Sequence, residues 1–224
     1  MAEAAAAAGA PKVSRLDRRK ARTRQALIDA AVRLIAEGRG DRASIQEITE
    51  EADIGFGSFY NHFDSKEELF EAAVNEALDA HGALLDTLTA AVEDPAETFA
   101  RSYRLTGRLF RRRPQMCRVV LNSGLALITA DRGLGPRAQR DIAAATAAGR
   151  FSVADPELAM AVAAGALLGL GQLLTDRPER DDAEATDRVT EDVLRIFGIP
   201  ADEAAEICRR PLPDIAESAE GSAA

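Results

Sequence analysis

Signals for helix starts recur along this chain and constrain its fold more than any other feature. A residue that caps a helix N-terminus is followed by its capping partner or by proline in four segments: SIQE at 44–47, DSKE at 64–67, DPAE at 94–97 and DP at 155–156. Such pairs satisfy backbone amides that the first helical turn leaves unpaired. Apolar residues then repeat at helical spacing, and no segment shows a persuasive two-residue alternation. The sequence therefore predicts an all-α protein of about nine helices.

The predicted helices form a small N-terminal group and a larger C-terminal one. The spacing predicts helices over residues 18–37, 45–52, 58–63, 64–91, 95–113, 115–130, 136–149, 156–175 and 183–197. Gly55 and Gly57 lie where a tight turn must separate the second helix from the third, an arrangement typical of a helix-turn-helix. We therefore expect a flexible tail over 1–14, a helix-turn-helix domain over 15–63, a larger helical domain over 64–208 and a flexible tail over 209–224.

Basic residues concentrate at the N-terminus although the whole chain is acidic. The formal net charge is −9, yet residues 1–24 carry a net +5 from seven basic and two acidic side chains. An acidic surface repels phosphates, whereas a local basic segment can still bind nucleic acid. The pattern favours a nucleic-acid-binding end on an acidic body, and a solvated basic tail is the alternative.

Cysteine usage and the apolar segments indicate where the protein resides. Cys117 and Cys208 are far apart and form no CxxC pair, and the N-terminal segment lacks the parts of a secretion signal. The longest apolar stretch, 158–171, has 14 residues, which is short for a membrane span and suits a buried helix. The sequence predicts a cytoplasmic protein with no membrane partner.

Residues suited to catalysis or metal binding are sparse. His62 and His81 are the two histidines, and no order of serine, histidine and aspartate supports a catalytic triad. Two histidines and two separated cysteines argue against a metal site. The segment GLGPRA at 133–138 matches a dinucleotide-binding pattern, but no βαβ unit surrounds it. We therefore expect no enzyme activity, no cofactor and no metal, and interpret GLGPRA as a helix break.

The segment SIQEITEEADIGFGSFYNHFDSKEELF, residues 44–70, carries the most specific pattern in the chain. It resembles the DNA-binding signature of the TetR (tetracycline repressor-like) family of transcriptional regulators. The matching residues are Ser44, Ala52, Gly57, Tyr60, His62, Phe63 and Lys66. The resemblance covers about residues 15–70 and implies an all-α homodimer that binds a palindromic operator in double-stranded DNA. It also implies a larger domain for ligand binding and dimerisation, with repression released by the ligand.

The resemblance implies roles in DNA binding for ten residues. Ser44 would bond a phosphate at a helix N-terminus, which already favours anions. Phe56 stands where many relatives carry a polar residue, so it either packs or contacts thymine methyl groups. Phe59 and Phe63 are expected in the core. The ten predicted DNA-binding residues are Arg22, Ser44, Gln46, Phe56, Gly57, Ser58, Tyr60, Asn61, His62 and Lys66.

The resemblance also implies an effector pocket among the central helices of the C-terminal domain. A soft apolar lining with a single tyrosine hydroxyl suits a small hydrophobic or aromatic effector. Ordinary core packing is the alternative for each residue. The predicted lining residues are Phe99, Tyr103, Phe110, Met116, Cys117, Val120, Leu121 and Leu125. For Arg101, Arg104 and Arg108, which share a helix face, we expect a solvated or salt-bridged face rather than an anion site.

A glycine-containing apolar helix over 156–175 and the helix over 183–197 resemble the family's four-helix dimer interface. Glycine in a helix interior costs about 1 kcal/mol relative to alanine, which a tight helix–helix contact offsets. Burial within one subunit is the alternative. The predicted interface residues are Gly165, Leu168, Gly169, Gln172, Val189, Val193 and Ile196.

Two other functions stay open on the sequence alone. One is a ligand-binding helical module or small enzyme in which the helix-turn-helix-like segment is incidental. The other is an architectural nucleic-acid protein without a ligand. Enrichment of a palindromic site from random DNA favours regulation over the first of these, and a cavity in the C-terminal domain favours it over the second.

Overall fold

The computed structural model describes residues 14–40, 42–112, 114–124 and 132–213, and these ranges form helices without strands. A short 3₁₀ helix, Phe56–Asn61, lies between the second and third α-helices. The α-helices are α1 (Arg15–Ala36), α2 (Ile45–Glu51), α3 (Lys66–Thr89), α4 (Pro95–Arg112), α5 (Pro114–Ser123), α6 (Leu134–Ala147), α7 (Pro156–Asp176), α8 (Asp182–Ile196) and α9 (Ala201–Arg209). The predicted all-α class is confirmed.

Helix α1 begins earlier than predicted because of a capping box outside the expected range. The Ser14 hydroxyl accepts from the Asp17 amide at 3.1 Å, and the Asp17 carboxylate accepts from the Ser14 amide at 3.1 Å. These two bonds satisfy amides at the first turn. The basic residues from Arg15 to Arg24 are therefore helical, and the cationic segment is part of a rigid element.

Helix α3 is capped by Ser65, one residue later than predicted. The Ser65 hydroxyl accepts from the Glu68 amide at 3.1 Å, and the Glu68 carboxylate accepts from the Asp64 amide at 2.7 Å. Asp64 and Glu67 formed the expected pair, but Ser65 and Glu68 form the observed one. Both pairs have the same three-residue spacing, so the sequence pattern alone does not separate them.

The C-terminal elements differ from the prediction in two places. Helix α9 was not predicted as a separate helix, because its nine residues follow Pro200 without a side-chain cap. The predicted helix over 115–130 is described as far as Ser123, and residues 125–131 lie outside the described ranges. Most of both predicted tails also lies outside those ranges.

The first core joins the helix-turn-helix segment to the larger domain. Leu27 and Ile28 of α1 pack with Phe59 and Phe63, and all four side chains are buried. The same cluster continues through α3 into α5, where it includes Val120. Helix α1 therefore rests on α5. The packing is continuous from the helix-turn-helix segment, called the head below, into the larger helical domain.

The second core is built around α4, which contacts α3 and every helix from α5 to α9. Four aromatic rings meet there, with centroids 5.1 to 5.7 Å apart. They are Phe99 and Tyr103 of α4, Phe151 before α7 and Phe197 after α8. Aromatic side chains contribute large buried areas, so this cluster anchors the C-terminal helices to α4.

A buried arginine on α4 ties α8 and the end of the chain to this core. Arg104, which is 4% exposed, donates from Nε and Nη2 to the two carboxylate oxygens of Asp187, at 2.8 and 3.2 Å. Its Nη1 donates to the Arg210 carbonyl at 2.8 Å. Arg108 also pairs with Asp187, at 2.7 Å, and Arg101 pairs with Glu97 at 2.9 Å. The three arginines of this helix face thus form salt bridges, as predicted.

We expect Arg104→Ala to lower the free energy of unfolding by about 3 kcal/mol, because Asp187 loses one guanidinium and the Arg210 carbonyl loses its donor. Urea denaturation at fixed protein concentration measures the loss. The control is Arg209→Ala, whose salt bridge to Glu206 is exposed and should leave stability essentially unchanged. An equally small effect for both variants would contradict a stabilising role for the Arg104 contacts.

Candidate nucleic-acid interface and internal cavity

The N-terminus of α2 is closed by a capping box. The Ser44 hydroxyl accepts from the Glu47 amide at 3.2 Å, and the Glu47 carboxylate accepts from the Ser44 amide and hydroxyl, both at 2.9 Å. These bonds from the Ser44 amide and hydroxyl lower the pKa of the Glu47 carboxyl. The Ser44 hydroxyl must therefore leave Glu47 before it can donate to a phosphate. Gln46, one residue on, is exposed and donates to Glu50 at 2.9 Å.

The turn after α2 is made by an aspartate rather than by the two glycines. Asp53 has a φ of 54°, in the left-handed region that aspartate adopts more readily than most residues. Gly55 has an extended backbone with φ −64°. A Cβ added at Gly55 or Gly57 would meet no atom of the described chain within 4 Å. The expectation that these glycines make the sharp turn is therefore corrected, and they leave the outer surface bare instead.

The 3₁₀ helix separates its side chains into a buried and an outward set. Phe59 is fully buried and Phe63, just beyond it, is 2% exposed, as expected for core residues. Phe56 and Tyr60 are 52% and 54% exposed, and their rings meet edge to face at 6.2 Å. Phe56 thus does not pack into the core. Gly57 and Asn61 are also exposed, and Ser58 is half-buried.

The basic residues of α1 lie beside the end of this helix. The Arg24 guanidinium stacks over the Phe63 ring at 5.0 Å from its centroid. Burial, followed by the charges of Lys20 and Arg24, lowers the pKa of the His62 imidazole. Its Nδ1 has no hydrogen-bond partner within the described residues. Arg22 is exposed on α1, and Lys66 donates to the Ala43 carbonyl at 3.4 Å.

A small cavity of about 60 Å³, partly open to solvent, lies inside the C-terminal domain between α3, α4, α6 and α7. Phe99 and Tyr103 are the two predicted effector-site residues that line it. The full lining is Leu85, Asp86, Phe99, Ser102, Tyr103, Thr106, Leu134, Arg137, Ala138, Arg140, Asp141 and Leu167. The Tyr103 hydroxyl donates to the Ala163 carbonyl at 2.8 Å, so it is already engaged.

Four other predicted effector-site residues do not line this cavity. Phe110, Cys117 and Val120 are buried in the first core, with Leu121 packed against it, because α5 rests on α1. Burial also raises the pKa of the Cys117 thiol. The side chain of Met116 and the whole of Leu125 lie outside the described residues. Core packing, the stated alternative, therefore describes Phe110, Cys117, Val120 and Leu121.

The polar wall of the cavity consists of two acids and two arginines that sequence reasoning missed. Asp86 accepts from Arg137 Nε at 2.9 Å and from Arg140 Nη2 at 2.8 Å, and Arg140 Nη2 also donates to Asp141 at 2.8 Å. Burial opposes ionisation of Asp86, but the two guanidinium groups outweigh it and lower its pKa. Burial raises the pKa of Asp141. The run RAQRD at 137–141 was the available signal, since these charges share one face of a predicted helix.

The outward face of α7 is apolar and carries the predicted glycines. Gly165, Gly169 and Gln172 are exposed and Leu168 is half-buried. A Cβ at either glycine would meet no atom of the described chain within 4 Å. Sequence reasoning missed three exposed apolar side chains on the same helix, namely Leu158, Val162 and Leu173. The helix is long and apolar enough to cross a membrane by length and composition alone, yet its other face packs against α4 and α8.

The predicted interface residues on α8 do not share one environment. Ile196 is 62% exposed and Val189 is half-buried. Val193 is 2% exposed and belongs to the second core, so it faces inward within its own subunit. We therefore leave Val193 out of the candidate interface, because burial within one subunit describes it.

Two family profiles match the chain, and together they cover both of its parts. The profile of the tetR family of bacterial regulatory proteins matches residues 27–73, and that of the tetracyclin repressor-like C-terminal domain matches residues 94–210. The chain belongs to the TetR family of transcriptional regulators. As a TetR-family regulator it binds DNA through its helix-turn-helix segment and responds to ligands.

Solved structures of other TetR-family regulators resemble this one over most of their length. RolR in complex with resorcinol is 36% identical, with a TM-score of 0.72, covering 88% of this chain and 98% of that one. A putative tetR family regulator from Shewanella sp. PV-4 is 17% identical, with a TM-score of 0.67, covering 80% and 99%. FadR from Bacillus subtilis in complex with stearoyl-CoA is 16% identical, with a TM-score of 0.60, covering 76% and 97%. A comparison with curated proteins finds no match.

We expect Tyr60→Phe and Lys66→Ala to weaken binding to all DNA sequences, and changes at Ser58 and Asn61 to alter base preference. Loss of a phosphate-contacting lysine should reduce the salt slope of binding by about one. Mobility-shift assays with selected and unrelated fragments measure both effects. Unaltered binding for all four variants would refute this assignment of the interface.

Proposed function

We propose that this TetR-family regulator is a homodimeric repressor that a small neutral phenol releases from a palindromic operator in the cytoplasm. The observation that carries the effector class is the internal cavity, in which aromatic side chains face two Asp–Arg pairs. RolR, the 36% identical relative, holds resorcinol, a benzene ring with two hydroxyl groups. A dihydroxybenzene is therefore the effector that we assign to this cavity.

The charges of the cavity wall favour a neutral ligand. Asp86 and Asp141 offset Arg137 and Arg140, so an added carboxylate would be left without a matching cation. A phenolic hydroxyl donates one hydrogen bond and accepts others, so it can bond to a carboxylate and a guanidinium together. The apolar side chains of Leu85, Leu134 and Leu167 suit the ring.

The size of the cavity links ligand binding to movement. An engineered cavity that holds benzene measures about 150 Å³, whereas this one measures about 60 Å³. In this proposal a phenol widens the cavity by pushing the surrounding helices apart. Helix α3 contributes Leu85 and Asp86 to the wall and begins at Lys66, directly after the DNA-reading segment. Separation of α3 from α6 would thus displace the head, and by linkage DNA would weaken phenol binding by the same factor.

The reading surface follows from the exposed side of the 3₁₀ helix. Phe56 and Tyr60 project outward beside two glycines without side chains, which allows close approach to a major groove. The thymine methyl group is the apolar feature of that groove, so we assign Phe56 to it. Ser58 and Asn61 face the same groove. The phosphate contacts come from Ser44, Tyr60, His62 and Lys66, with Arg22 on α1.

The proposed dimer contact is the apolar face of α7 with the exposed part of α8. Leu158 and Ile196 are 65% and 62% exposed, and an exposed apolar patch of this kind marks an interaction surface. Gly165 and Gly169 would let the two α7 helices approach closely. A closed two-fold contact through this face gives a dimer with two helix-turn-helix segments. A palindromic operator has two half-sites and requires two such segments.

We expect resorcinol to raise the thermal midpoint of the protein and to release it from a DNA fragment selected out of a random pool. Arg140→Ala should weaken resorcinol binding about tenfold, because it removes a charged donor from the cavity wall. Titration calorimetry and mobility shifts measure binding and release. Arg209→Ala is the control, and benzoate is the ligand expected to bind more weakly. Failure of resorcinol to bind wild-type protein would refute the proposed effector class.

We expect light scattering to give about twice the monomer mass of 23.9 kDa. Gly169→Glu should shift the protein toward the monomer, because it places a charge in the centre of the proposed contact. The matched control is Ala83→Glu, which adds the same charge at an exposed position of α3. A monomeric wild-type protein, or a dimer unaffected by Gly169→Glu, would contradict this interface.

A further inference from the structure

Arg137 reaches the cavity by crossing the surface of α3 at a glycine. A Cβ added at Gly82 would lie 2.6 Å from each of Cδ, Nε and Nη1 of Arg137. Gly82 is buried in the middle of α3 and has no left-handed backbone. Glycine costs helix stability at such a position relative to alanine. The backbone conformation therefore does not require glycine at position 82. The Arg137 side chain does, because it occupies the space that a Cβ would fill.

The Arg137 guanidinium is held on both sides of this crossing. Its Nε donates to Asp86 at 2.9 Å, and its Nη1 donates to the Gly133 carbonyl at 2.8 Å and lies 3.4 Å from Asp79. Asp79 and Asp86 are two turns apart on α3, so they share a face with Gly82 between them. The arginine is thus fixed in one direction along α3.

Asp79 also holds the start of α6, the helix that carries Arg137. It accepts from the Gly133 amide at 2.8 Å and from Arg132 at 2.7 Å. Burial opposes the charged form, but the Gly133 amide and the two arginines outweigh it and lower the pKa of the Asp79 carboxyl. This carboxylate therefore stays ionised and keeps the first turn of α6 beside α3.

The same arginine separates the internal cavity from an open cleft of about 320 Å³. Asp86, Arg137 and Arg140 line both spaces, whereas Asp79 lines the outer cleft and Gly82 lines neither. The direction of Arg137 therefore decides how its donors face the internal cavity. Gly82, beside which the Arg137 side chain passes, and Asp79, which lies 3.4 Å from Arg137 Nη1, do not line that cavity.

We propose that Gly82 and Asp79 are positioning residues of the effector cavity, which act through Arg137 to aim a guanidinium at a phenolic hydroxyl. Gly82 leaves the space through which Arg137 crosses α3, and Asp79 restrains the arginine from the outer cleft. This inference rests on the proposed binding of a phenol in the cavity. Its consequence is that effector affinity depends on residues outside the binding surface.

A double-mutant cycle tests the inference, with resorcinol as the probe and titration calorimetry as the measurement. Gly82→Ala should weaken resorcinol binding about tenfold in the wild-type background, because the methyl group displaces a charged donor. In an Arg137→Ala background the same change should alter binding less than about twofold. Asp79→Asn should show the same dependence on Arg137 with a smaller loss.

A single cooperative thermal unfolding transition without resorcinol, followed by circular dichroism, shows that each variant is folded. If Gly82→Ala does not fold, the cycle is measured with Asp79→Asn, alone and combined with Arg137→Ala. Equal losses in the two backgrounds, or no loss in either, would overturn the inference while leaving resorcinol binding intact. Absence of resorcinol binding by wild type would overturn the proposed function and this inference together.

Discussion

The burial of the two ends of α3 in different cores is the constraint on which the rest of the structure depends. Leu69 and Ala73 pack in the core of the DNA-binding head, whereas Leu85 packs with Leu105 and Leu109 of α4. The helix has 24 residues and thus spans about 36 Å. One continuous helix therefore connects the head to the core around α4. This connection is the basis of the proposed effect of a ligand beside Leu85 on DNA binding.

Charge is organised locally, so an acidic chain can still present a DNA-binding surface. The Ser14 capping box starts α1 in time to make its basic residues helical, and Arg24 is then fixed over the Phe63 ring. Some acidic residues of the larger domain are paired with arginines in partly buried salt bridges, such as those of Asp187 and Asp86. Net charge alone therefore describes neither surface.

Much of the fold could be predicted from the sequence because helix caps and apolar spacing are local properties. The segment 44–70 also indicated the family, and Phe59 and Phe63 lie in the core as expected. The candidate effector cavity could not be located in this way, because a cavity depends on how helices approach one another. Phe99 and Phe110 lie on the same helix. Phe110 is buried in the first core beside Gly171 of α7, whereas space remains beside Phe99.

Two details show where local rules stop. The turn after α2 contains glycines, but the left-handed residue is Asp53 two positions earlier. The RAQRD run has the pattern of an ordinary charged helix face. Only the fold shows that Asp86 of α3 pairs with its two arginines. In both cases the residues are visible in the sequence. Which of them makes the turn, or forms the salt bridge, depends on contacts with neighbouring helices.

Asp53 is exposed, yet few other residue types fit its position. Its side chain lies at the surface, yet its backbone angle admits few residues besides aspartate, asparagine and glycine without strain. The angle between α2 and the reading segment passes through that one peptide unit. Substitutions at Phe56 or Asn61 meet no such backbone restriction, whereas most substitutions at Asp53 would strain the turn.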